Sequence, residues 1–357
     1  VTPYHGLVID PIALFSSSYA EARARFVEAA SKHPHLVERG ALSIDAEHTI
    51  DWALTGDPSA EDVLVYTSAL HGIEGYAGGA VMLRLLGLGE RTTVLWMHAL
   101  NPWGMARFRR VNEGNVDLNR NFLPDGAPYT ADDDAYAALD ALLNPPRPPG
   151  PDAFLLGAAY HLARHGLGSL RNAVARGQYS FPKGIFYGGQ AREATTREVL
   201  GFLPARLVGK RRVVHVDLHT ARGPRGDYVA FLEGADPAAR SRAELIFGAR
   251  LRAWAANTAD GYDMRGGMLP ELQRRVPGAR YDAITLEFGT ASDLGIVRAL
   301  RAENQLHFWG ERDAGPDHPA RRAMRGAFYP DDARWRASVI SHAVSIHRQA
   351  ERLLASG

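Results

Sequence analysis

"RRVVHVDLHT", residues 211–220, alternates from Val214 to His219 between aliphatic and polar side chains. Successive side chains of a strand point to opposite faces, so His215, Asp217 and His219 share one face while Val214, Val216 and Leu218 share the other. His219 falls at the end of the run, which is where an α/β sheet gathers its ligands.

Three further stretches read as strands: "DVLVYTSAL" (62–70), "TVLWMHAL" (93–100) and "YDAITLEFGT" (281–290). Between and around them lie helical patterns. Residues 17–31, "SSYAEARARFVEAAS", form an amphipathic helix with serine available as its N-cap, and 78–89, 235–258 and 332–355 also read as helical. Strands alternating with helices predict an α/β fold: a mixed, largely parallel twisted sheet flanked by helices. "NPPRPPGP" (144–151) punctuates the chain most strongly, but candidate chemistry lies on both sides of it. It is read as a surface turn within one catalytic domain spanning 1–357, with a helical N-terminal extension and an insertion around 122–210.

Composition narrows the chemistry. The 357 residues carry 46% apolar and 23% charged side chains, as expected of a globular protein, and no apolar run approaches the roughly 20 residues that cross a bilayer. With no cysteine, there is no disulfide and no thiolate nucleophile, so a metal would have to be held by His, Asp or Glu. The net charge is +1 and the arginines are scattered, with lysine only at positions 32, 183 and 210, which argues against a nucleic-acid surface. The first residues lack the pattern of a secretory signal, so the expectation is a cytoplasmic protein. The G-x-S-x-G elbow and the glycine-rich phosphate loops are absent.

"SALHGIEGYAGG" (68–79) places His71 and Glu74 just after an apolar strand, with Gly72 and Gly75 leaving room beside them. The spacing alone is weak. His35 and Glu38 in "HLVE" repeat it in a charged stretch that reads as helical, with no strand before it, and that pair is taken as chance. A catalytic zinc site keeps three protein ligands and one open position, a set that His71, Glu74 and His219 would supply. His215 reads as structural. Glu287 ends the strand "ITLEFGT", where a carboxylate is costly to bury without a partner or a task such as taking a proton from an attacking water. The loop "NPWGMARFRRVNEGNVDLNRNF" carries Arg107, Arg109, Arg110, Asn119 and Arg120, and a guanidinium suits both a substrate carboxylate and a developing oxyanion.

With these motifs in this order over residues 60–290, the chain resembles the zinc carboxypeptidase (funnelin) superfamily, and within it an uncharacterised bacterial branch carrying "LHGxEG" and "NxDLNRNF". The resemblance implies one Zn²⁺ per chain on His71, Glu74 and His219, with Glu287 as general acid/base. It implies that Asp117 orients the first histidine, that Asn119 and Arg120, with Arg109, hold the substrate's carboxylate, and that Arg110 stabilises the oxyanion, with Arg107 and Arg109 as alternatives. The implied reaction is cleavage of an amide next to a free carboxylate. Ile73 stands where digestive members have arginine. "DLH" and "DLNR" are also similar to the aspartoacylase and succinylglutamate desuccinylase branch, which makes an N-acyl amino acid deacylase the alternative. A non-catalytic binding protein on the same fold is the alternative of a different class. The expected partner is a small peptide or N-acyl amino acid, with no nucleic acid and no membrane. Tyr262 and Tyr281 are candidates for the family's active-site tyrosine by position only. The loop "GQYSFPKGIFYGGQ" (177–190) is read as either a pocket wall or an ordinary surface loop.

Overall fold

The computed structural model describes residues 10–232, 237–253 and 264–356. Eight strands form one mixed sheet: β1 Leu36–Ser43, β2 Thr49–Thr55, β3 Asp62–Ser68, β4 Val94–His98, β5 Arg212–Ala221, β6 Tyr228–Leu232, β7 Leu251–Ala253 and β8 Arg280–Gly289, in the order β1-β2-β4-β3-β5-β8-β6-β7. The four central strands, β4, β3, β5 and β8, are parallel, and β1–β2, β2–β4 and β6–β8 pair antiparallel. The helices are α1 Tyr19–Ser31, α2 Gly75–Leu86, α3 Pro102–Ala106, α4 Asp134–Leu143, α5 Phe154–His165, α6 Leu167–Ala175, α7 Ala194–Leu207, α8 Pro237–Phe247, α9 Met268–Arg275, α10 Asp293–Trp309, α11 Pro319–Phe328 and α12 Ala333–Ala355.

The alternation in β5 sorts the protein into two apolar layers. Val214, Val216 and Leu218 pack with Leu64 and Tyr66 of β3 and Ile284 and Leu286 of β8 in the layer that includes α1, α2 and α12. Val213, Val65 and Ala283 face the other way, towards Val199 and Leu203 of α7 and Leu269 and Leu272 of α9. His219 and Glu287 lie on the odd-numbered face of β5 and β8 and pair directly in register. The chain leaves β3 for β4 on one side and returns to β5 on the other, so the carboxyl ends of β3 and β5 bound the crevice of a topological switch point.

The α/β expectation and the four apolar strands hold to within a few residues. Ser18 caps α1, its side chain accepting from the Glu21 amide. Two expectations fail. "HLVE" runs into the edge strand β1, whose mostly exposed residues are held extended by antiparallel pairing with β2. The helical reading of 235–258 holds over Pro237–Phe247 only, after which the chain turns into β7 beside β6; 235–236 and 254–258 lie outside the described residues.

Candidate metal centre

Just past the end of β3, Ala69 is held at φ +61°, which turns the chain sharply into a short 3-10 helix over Gly72–Glu74. That turn puts His71 and Glu74 on the crevice. The glycines matter for a different reason from the one expected: a Cβ on Gly72 would lie 2.3 Å from the Gly104 carbonyl carbon, and one on Gly75 2.5 Å from the Ala69 Cβ. They let the turn press against α3 and fold back on Ala69 rather than make room for a ligand. The loop after β4 answers with two carbonyls, Arg110 O accepting from Gly72 N and Arg109 O from Ile73 N.

His71, Glu74 and His219 meet although 148 residues separate the two histidines. Glu74 Oε1 lies 3.1 Å from His71 Nδ1, Glu74 Oε2 lies 3.0 Å from His219 Nδ1, and the two Nδ1 atoms stand 3.2 Å apart. All three residues are at most 4% exposed, so water does not satisfy them. On its far side, His219 Nε2 faces Asp217 Oδ2 at 2.6 Å and must donate its proton there. Thr67 in turn donates to Asp217 Oδ1 at 2.7 Å. His71 Nε2 lies 3.2 Å from Asp117 Oδ1 and 2.8 Å from Arg110 Nη2.

Burial opposes ionisation of Glu74, but the two histidines outweigh it and hold its carboxyl below the ordinary range. Burial likewise opposes charge on Asp117 and Asp217, and is overcome by Arg110 and His71 for the first and by His219 for the second. Burial disfavours the charged form of His219, yet Asp217 and Glu74 raise it well above the usual histidine value. The pattern fits a cation between the Nδ1 atoms: two imidazole lone pairs and a carboxylate converge, and each imidazole has a carboxylate behind it to hold the other nitrogen's proton.

Glu287 stands beside this cluster, 7% exposed, its Oε2 accepting from the Arg222 amide at 3.2 Å. Burial raises its carboxyl above the ordinary value; His219 pulls the other way and Glu74 adds to the rise. Arg110 donates from Nε to Asp117 at 3.1 Å and from Nη1 to Glu74 at 3.3 Å. His71, Arg110, Asn119, His219, Arg222 and Glu287 line one cavity of about 410 Å³. Asn119 also anchors the loop, accepting from the Met268 amide.

Other expected residues lie elsewhere. Arg109, expected beside the substrate, is fully buried, bound to Glu303 at 2.7 Å and Asn115 at 3.0 Å, and is withdrawn from the cavity. Arg120, also buried, donates to the carbonyls of Ala175 and Asn119. Arg107 stacks over Trp103, 4.4 Å from its ring. Tyr281 is a core side chain bonded to His215 at 2.7 Å, while Tyr262 lies outside the described residues. The 177–190 loop is a wall, with buried Phe186 lining the cavity and Asn115 bonded to the Pro182 and Gly184 carbonyls. Asp217 was placed on the right face by the alternation of β5 but given no task; the signal was the "DLH" triplet.

One other trio among the described residues brings potential ligand atoms together: Glu90, His347 and Glu351. There Arg348 already bridges both glutamates, so the charge is met from within the protein. His35 and Glu38 form no such group, and Glu38 pairs with Arg206.

A family model described as "Protein of unknown function (DUF2817)" matches residues 15–342. No curated protein matches the chain. Among solved structures, bovine thrombin-activatable fibrinolysis inhibitor, in complex with tick carboxypeptidase inhibitor, is similar at 13% identity and a TM-score of 0.49, covering 93% of this chain and 97% of that one. The succinylglutamate desuccinylase of Chromobacterium violaceum is similar at 16% identity and a TM-score of 0.38, covering 85% and 77%. The chemistry of this chain has to come from its own side chains. No helix of the described residues is long and apolar enough to cross a membrane.

Proposed function

We propose that this chain, which belongs to the DUF2817 family of proteins of unknown function, is a zinc-dependent hydrolase that cleaves an amide bond near a free carboxylate. The observation that carries this reading is the convergence of His71 Nδ1, His219 Nδ1 and the Glu74 carboxylate, with Asp117 and Asp217 behind the imidazoles. His71, Glu74 and His219 would hold a Zn²⁺ ion, which would supply a Lewis acid for the scissile carbonyl and for the attacking water.

Glu287 takes the proton of the attacking water and passes it to the leaving nitrogen. The carbon–nitrogen bond breaks, a carbon–oxygen bond forms, and the products are a carboxylic acid and an amine. The raised carboxyl of Glu287 suits a group that must both accept and return a proton. Arg110, already beside the metal ligands, is the guanidinium placed to stabilise negative charge on the carbonyl oxygen. Asn119, on the cavity wall, anchors the substrate's carboxylate with Arg120 behind it. The same centre serves a peptide or an N-acyl amino acid.

The test is turnover by zinc-loaded protein on a panel of short peptides and N-acyl amino acids, with Glu287→Gln as control. Hydrolysis that disappears in the variant while zinc stays bound is expected; equal turnover in the variant overturns the assignment of the base.

A further inference from the structure

The cavity at the candidate metal centre extends beyond the polar cluster and is lined mostly by apolar side chains. Polar side chains reach it from the strand ends, from the loop after β4 and, through His161, from α5; its apolar wall is built from Phe186 of the 177–190 loop and from helices, with Leu142 from α4, Phe154 and Leu162 from α5, Val174 from α6, and Val297 and Leu300 from α10. Arg171 and Asp293 also reach this wall but pair with each other at 2.9 Å. Helices α5 and α6 contribute little to the core: α6 has no buried residue, and α5 buries only Phe154. Leu162 and Leu167 face the cavity while 45% and 55% exposed. A packed core would cover such side chains, and so would an apolar ligand.

Resting on the hydrolase reading above, we infer that the amide substrate carries a long apolar group, seated between α4, α5, α6 and α10 while its amide lies at His71, His219 and Glu287. An apolar group gains in proportion to the surface it removes from water. A short charged group of the succinyl type would instead lose its hydration among leucines. The apolar group has two sources, a fatty acyl chain on the amide carbonyl or a large apolar amino-acid side chain, and both present the same surface to these walls.

Two substrate series on the zinc-loaded protein separate them: N-acyl glycines from acetyl to tetradecanoyl, and dipeptides Gly-Ala, Gly-Leu, Gly-Phe and Gly-Trp. In the acyl series, kcat/KM is expected to rise about three- to five-fold per added methylene until the chamber is full. A rise confined to the dipeptide series assigns the chamber to a side chain. Flat or falling dependence in both series, with a short substrate turned over, overturns the inference and leaves the hydrolase reading standing.

Calorimetric titration with hexanoate, decanoate and tetradecanoate reads the chamber without turnover. Affinity that climbs with length is expected even if no substrate is hydrolysed, which would sink the hydrolase reading alone; no saturable binding overturns the inference. Ala158→Phe, on the cavity side of lightly packed α5, narrows the chamber. It is expected to shift the preferred length to shorter groups while the shortest substrate keeps its rate within about two-fold and circular dichroism is unchanged. An unaltered length profile contradicts the assignment.

Discussion

Arg109 and Arg110 adjoin in sequence and enter two different buried charge clusters. Arg109 joins Arg321 on the single carboxylate of Glu303, at 2.7 and 2.6 Å, so donors meet an acceptor. Arg110 enters a cluster in which His71, His219 and Glu74 turn acceptors towards one another. Both groups are buried and both hold carboxylates below their ordinary range against the cost of burial. What separates them is the balance of donors and acceptors. The first pairs its charges within the protein and serves the fold, tying the loop after β4 to α10 and α11. The second, in the function proposed above, would be completed by a cation.

The sharpest way to break that contrast is to exchange effects between the clusters. Glu287→Gln is expected to lower turnover by about 10²–10⁴-fold with zinc retained and the melting temperature little changed, as read by steady-state kinetics and metal analysis. Glu303→Ala leaves two buried guanidiniums without their carboxylate and is expected to cost about 3–5 kcal/mol in denaturant unfolding. Were Glu303→Ala instead to keep full stability while zinc was lost, the division between the clusters would be wrong.

Asp217→Asn removes the acceptor behind His219 and is expected to weaken zinc binding about 10–100-fold in a competition titration. The smallest effect concerns pH. Because burial raises the Glu287 carboxyl, the base is protonated over a wider acidic range than an ordinary glutamate. kcat/KM is therefore expected to climb with pH through an apparent pKa above 4.5, the ordinary glutamate value. A limb that levels off below it contradicts the assigned role.

What was legible in the sequence follows the same physics. β3, β4, β5 and β8 are buried on both faces, so their apolar runs declare them, and the three candidate ligands that converge, His71, Glu74 and His219, lie just after β3 and near the end of β5. β1 was not legible, because an edge strand that is mostly exposed has no need of an apolar pattern and owes its form to β2. Nor could local pattern separate Arg109 from Arg110. A one-residue step in an irregular loop decides which side chain meets His71 and Glu74, and the partner that claims Arg109 lies 194 residues downstream. The helical wall of the chamber was equally hidden, since α5 and α6 bury little beyond Phe154 and several of their apolar residues line the cavity.

The most direct test is a zinc titration of chelator-stripped wild-type protein beside the His71→Ala/His219→Ala double variant, with the fold of each checked by circular dichroism. One zinc per wild-type chain, and no stoichiometric uptake by the folded double variant, is the expected result. Equal uptake by both, or none by wild type, would contradict a metal centre on His71, Glu74 and His219.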